Sequence, residues 1–230
     1  MSLPKISSPT FRAELPSTGR EIKYRPFTVK EEKILLMASQ SNDTTSVTDA
    51  IKQIMTNCIL DDVDVNNMAT FDVEYLFIQL RSKSVDNIMQ LQFVEDGETY
   101  KVEVDLDDIV VQRPESKSNH ITLNEEASIV LKYPSFDMIE KLQGGAEGDV
   151  VEVVSNSIDK IVYGGDILDL ADYTKDEVTS FIESFTSKNM RDIESFFQSM
   201  PRVKIDLNYI TKDGEKKTKE VSGLQNFFTQ

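Results

Sequence analysis

The chain has 230 residues, 39% hydrophobic and 28% charged, enough for one large domain or two small ones around a real core. Its 40 acidic residues outnumber 25 basic ones, and the net charge of −15 repels phosphate backbones, so nucleic acid is not an expected partner. No apolar run approaches the roughly 20 residues that cross a bilayer, and Met1-Ser2-Leu3-Pro4-Lys5 has no apolar signal region, so neither membrane insertion nor export is expected.

In chain order, Thr10 to Leu15 and Glu21 to Arg25 read as short strands around the turn Pro16-Ser17-Thr18-Gly19. Pro26 ends the second, and Thr28-Val29-Lys30-Glu31 has the spacing of a capping box, so a helix should open there and run through Ile34 to Met37. Val47, Ile51, Ile54, Met55, Cys58 and Ile59 form the apolar face of a second helix. The sole cysteine sits on that face, which reads as a buried structural thiol; a lone cysteine also excludes an internal disulfide and fits a reducing compartment. A third helix spans about Phe71 to Lys83, apolar nearly all round and therefore central. The period then changes to two: Ile88 to Val94 and Tyr100 to Leu106 flank Glu95-Asp96-Gly97-Glu98, a hairpin turn.

A polar linker follows, Gln112 to His120, and the order of elements recurs. Pro134 to Leu142 reads as a short helix broken at Gly144-Gly145. Val150 to Tyr163 reads as a helix with Val150, Val151, Val154, Ile158, Ile161 and Val162 on one face. Thr174-Lys175-Asp176-Glu177 is a second capping box, opening a helix with Val178, Phe181, Ile182 and Phe185 inward. Met190, Ile193, Phe196, Phe197 and Met200 mark another helix, closed by Pro201. Val203 to Ile210 and Lys217 to Val221 then flank Lys212-Asp213-Gly214-Glu215. The expected class is α+β, helices packed with antiparallel hairpins, with an internal pseudo-repeat of helix, helix and hairpin. Duplication and chance recurrence of a common turn both account for that repeat. The corresponding division is 1–111, a linker at 112–120, and 121–230, two halves free to pack as one domain.

Chemistry is scarce. His120 is the only histidine, and no Gly-x-Ser-x-Gly elbow accompanies it, so no catalytic residue is assigned. There is no His/Cys cluster for zinc. Gly144-Gly145-Ala146-Glu147-Gly148 lacks the Gly-Lys-Ser/Thr ending of a phosphate loop. Asp62-Val63-Asp64-Val65-Asn66 begins like a calcium loop, but Asn67 stands where glycine is needed and Val73 where a bidentate glutamate is needed. No metal, cofactor or small-molecule substrate is therefore expected. Leu15-Pro16-Ser17-Thr18-Gly19 matches a cell-wall sorting pentapeptide, yet neither the apolar span nor the basic tail follows it, so it reads as a turn.

The end of the chain offers a candidate partner surface. Lys212, Lys216, Lys217 and Lys219 gather positive charge on the last hairpin of an acidic protein, and Leu224, Phe227 and Phe228 follow. These apolar residues either fold back onto the domain or dock into a neighbour as anchors. The candidate partner-binding residues are Leu224, Phe227, Phe228, Lys216 and Lys217.

Leu15-Pro16-Ser17-Thr18-Gly19, then Ile22-Lys23-Tyr24-Arg25-Pro26-Phe27 and Val29-Lys30-Glu31-Glu32-Lys33, resembles the opening of the T4-like phage baseplate hub assembly proteins. Phe71-Asp72-Val73-Glu74-Tyr75-Leu76-Phe77-Ile78-Gln79-Leu80-Arg81 and Gly223-Leu224-Gln225-Asn226-Phe227-Phe228 are similar to the same family, in the same order. The resemblance implies a non-enzymatic role in building the central hub of the tail baseplate, with other hub proteins as partners and self-association as a further candidate. It also implies a protein made in the host cytoplasm, either released after assembly or retained in the virion baseplate. A cytoplasmic hydrolase or calcium-binding module is the competing expectation.

Overall fold

The computed structural model describes residues 6–40, 44–115, 117–138 and 150–222. The fold is α+β and divides into two compact units, one built from 1–112 with 202–230 and the other from 113–201.

The first unit opens with the hairpin β1 (Phe11–Glu14) and β2 (Glu21–Tyr24), paired Glu14 to Glu21 around the expected turn. Gly19 sits at φ +71°, a left-handed conformation that glycine adopts without steric cost. Helices α1 (Val29–Gln40) and α2 (Thr44–Cys58) pack together. Helix α3 (Thr70–Ser84) buries Phe71, Val73, Leu76, Phe77, Ile78 and Leu80, nearly its whole circumference, because the unit closes around it. Hairpin β3 (Ile88–Glu95) and β4 (Glu98–Asp105) turns on Asp96 and Gly97, both with positive φ, the type I′ geometry that matches strand twist. Strand β5 (Val110–Gln112) pairs with β10 (Arg202–Ile210), which pairs in turn with β11 (Lys216–Ser222). The closing hairpin thus completes a sheet with a strand that precedes the second unit in the chain.

The second unit is an antiparallel meander in the order β6 (His120–Thr122), β7 (Ala127–Leu131), β8 (Ile158–Tyr163) and β9 (Asp166–Leu168). Helices α4 (Val150–Ser157), α5 (Lys175–Glu183) and α6 (Ser187–Gln198) cover one sheet face. Their shared core is Ile121, Ile129, Leu131, Val154, Ile158, Ile161, Ile182, Ile193 and Phe196. Thr174 with Glu177 and Thr186 with Asn189 form capping boxes that start α5 and α6, and the Asn189 amide also donates to the carbonyl oxygens of Thr122 and Leu123 on the sheet side.

Three expectations change. The helix expected over 150–163 stops at Ser157 and continues as β8, because Gly164-Gly165 (φ +59° and +94°) makes a two-residue turn that pairs Tyr163 with Asp166. The linker expected over 112–120 is flanked by strand at both ends, with Gln112 in β5 and His120 in β6. The two Asp-Gly-Glu turns also differ in kind. The first has a two-residue loop, whereas the second closes by Gly214 N–H to Thr211 C=O and Thr211 N–H to Glu215 C=O, with Asp213 outside the positive-φ region. That difference gives duplication no support. Of the helix expected over 134–142, residues 136–138 are helical and 134–135 are not; 139–142 and Gly144 to Gly148 lie outside the described residues.

Candidate functional site

The residues that mark the first unit hold one another in place. In the β1–β2 turn, Ser17 donates its N–H to Asp72 of α3 at 2.9 Å and its hydroxyl to the other carboxylate oxygen. Asp72 is 2% exposed. Burial pushes its carboxyl up, the Ser17 bonds pull it back, and burial wins. The segment after β2 is pinned likewise. Arg25 donates to Glu31 at 3.0 Å and to the Asn57 carbonyl at 3.0 Å, and Thr28 donates its N–H to Glu31 at 2.8 Å. Burial works to raise the Glu31 carboxyl, but these bonds outweigh it and hold it down at about 2. Phe27 N–H meets the Ser84 hydroxyl at 2.9 Å, and Tyr24 pairs with Ile59 across an antiparallel bridge. Each polar group here serves the scaffold. Buried Cys58 belongs to the same scaffold: burial pushes its thiol up to about 11, away from the thiolate.

The terminal hairpin separates the two candidate lysines. Strand β10 buries Val203, Ile205, Leu207 and Tyr209 on one face. Pairing of Leu207 with Lys219 and Tyr209 with Lys217 puts those lysines on that face, while Lys216, opposite Ile210, lies on the other. The inward lysines meet the acidic tip of the β3–β4 hairpin. Lys219 lies 3.1 Å from Glu95 and 4.6 Å from the Phe93 ring centroid, Lys217 lies 4.0 Å from Asp96, and Lys212 lies 2.5 Å from Glu98. Phe93, Tyr100 and Tyr209 cluster beneath, with ring centroids 4.8–5.6 Å apart. The Tyr209 hydroxyl donates to Glu95, and that hydrogen bond, followed by burial and the carboxylate charge, pushes the phenol up to about 12. Exposed ion pairs add little stability, so the aromatic packing carries the contact between the hairpins. Leu224, Phe227 and Phe228 lie outside the described residues.

His120 lies on β6 with its Nε2 3.1 Å from the Ser128 hydroxyl. Among the described residues no carboxylate bonds its other ring nitrogen, so a base-orienting third group is not in place. Asp64 spends its carboxylate on the Asn66 N–H and on the Asn66 and Asn67 side-chain amides, capping the short turn Val65–Asn67. Among the described residues no group of three or more His, Cys, Asp or Glu side chains is placed to hold a metal ion, and no helix is long and apolar enough to cross a membrane.

Neither the Ser17–Asp72 nor the Arg25–Glu31 pairing follows from sequence spacing. A signal for one was available: an aspartate on a helix apolar all round must find a donor.

No curated protein and no solved structure matches the chain. Residues 8–229 match the family described as T4 bacteriophage base plate protein, a span from before β1 to beyond β11 that contains the Ser17–Asp72 and Arg25–Glu31 contacts and both Asp-Gly hairpins. The chain belongs to the T4 bacteriophage base plate protein family.

Proposed function

We propose that the protein is a non-enzymatic assembly factor for the central hub of the phage baseplate, holding hub proteins in register in the host cytoplasm before the tail is complete. The observation that carries this reading is the family match over nearly the whole chain. It is supported by the way the ionisable groups are used. Glu31, Asp72 and Cys58 are buried within the scaffold, and Asp64 caps a turn. The proposed contacts are Leu224, Phe227 and Phe228, with Lys216 and Lys217, which precede them in the sequence.

Pull-downs from infected cells, set against the protein inventory of purified phage, test the role. An assembly factor co-purifies with hub intermediates and is missing from mature particles. Stoichiometric amounts in mature particles would make it a permanent hub subunit instead. Deleting Leu224 to Gln230 should weaken hub binding while leaving the melting temperature nearly unchanged. An unaltered complex would remove the terminal anchor from the mechanism, and a collapse in melting temperature would assign Phe227 and Phe228 to the core.

A further inference from the structure

Helix α1 buries Glu31, Leu35 and Ala38 on one face. Its opposite face carries Val29, Lys33, Leu36, Met37 and Gln40, a continuous stripe at helical spacing. Val29, Leu36 and Met37 are 67%, 52% and 65% exposed. Single exposed apolar residues are ordinary on a protein surface; three large ones aligned over about 12 Å of helix are less so. The stripe is also held in place. Rolling α1 about its axis would pull Glu31 from Arg25 and Thr28, so the face is presented in a single orientation.

We infer that this outward face of α1 is a docking surface for another baseplate protein, one offering an apolar helix face or groove edged with carboxylates. Charge selects that chemistry. Lys33 lies within the stripe and Lys30 on one flank, both exposed and neither paired with a described residue, on a chain whose net charge is −15. Glu32, on the other flank, is half-buried and acts on Arg81 of α3. A second copy is the poorer occupant. Parallel self-pairing sets each lysine against its own counterpart, and antiparallel pairing centred on Val29 to Met37 does so for Lys33. The inference rests on family membership and holds whether the protein leaves the particle or stays.

The test places the photo-crosslinking residue p-benzoylphenylalanine at position 37 of the full chain in infected cells. The expected product joins this chain to a phage baseplate protein through a peptide bearing apolar and acidic residues. Lys30→Glu with Lys33→Glu should lower its yield at least tenfold, and so should Leu36→Asp, with the melting temperature of each variant unchanged. A crosslink to residues 113–201 of the same chain, to a second copy or to host proteins alone would overturn the inference. So would full yield from the charge-reversed variant, or a large fall in melting temperature for Leu36→Asp. The virion inventory that decides between transient and permanent roles is unaffected by any of these outcomes.

Discussion

Glu31 and Asp72 are both almost fully buried, yet their carboxyls move in opposite directions, and the difference lies in their donors. Glu31 receives an arginine and the backbone and hydroxyl of Thr28; Asp72 receives only the neutral groups of Ser17. Because the Glu31 carboxyl is depressed, its contribution to stability is complete above the ordinary glutamate range and is lost as pH falls from about 4.5 towards about 2. Asp72, being raised, behaves in the opposite sense: the folded state is favoured below its ordinary value and loses that advantage as pH rises through the shifted one. Glu31→Gln should therefore cost about 2 kcal/mol at neutral pH and flatten the acid limb of stability, read as urea midpoints across pH. Asp72→Asn keeps an acceptor for the Ser17 N–H and should cost under about 1 kcal/mol, whereas Asp72→Ala strands that donor and should cost about 2 kcal/mol. Equal losses in the two Asp72 variants would show that the Ser17 contact is not what secures the turn.

At the scale of elements, the readable signals were those whose cause is local. Asp96-Gly97 makes its hairpin and Thr174-Lys175-Asp176-Glu177 its capping box because turn and cap chemistry need only a few neighbouring residues. The helix misread over 158–163 has a local explanation too. Ile158, Ile161 and Val162 satisfy helical spacing, yet they are β-branched, and Tyr163-Gly164-Gly165-Asp166 is a hairpin signal. An added Cβ at Gly164 or Gly165 meets nothing within 4 Å, so backbone conformation alone sets the cost of substitution. Gly165→Ala, at φ +94°, should lower the melting temperature more than Gly164→Asn, which places a tolerant residue at φ +59°. Equal effects would mean that the turn relaxes. Between hairpins, Glu95→Ala removes the hydrogen bond that does most to raise the Tyr209 phenol, and the charge with it, so ultraviolet titration should find it moved from about 12 towards the ordinary tyrosine range.

At the scale of the whole molecule, the second unit leaves the first after Gln112 and returns to it at Arg202, and those two residues are direct partners in the β5–β10 ladder. The ends of the intervening segment are therefore neighbouring strand ends, the geometry in which an inserted unit is tolerated. Replacing 113–201 with a short glycine-rich turn should leave the first unit folded, and 113–201 alone should fold around its own core, each read by a cooperative thermal transition. Loss of folding in both pieces would show that the units stabilise each other.

The residues by themselves determined the α+β class, the capped helices, the turn at Asp96-Gly97, the scarcity of catalytic groups and the family, all of them legible in short windows or in composition. Tertiary structure alone decided that β5 pairs with β10 across the whole second unit, that Ser17 meets Asp72, that Lys216 and Lys217 face opposite ways, and that α1 turns an apolar stripe outward. Local windows carry periodicity and turn chemistry. Long-range pairing depends instead on which faces bury one another, and that is settled only when distant segments compete for the same core.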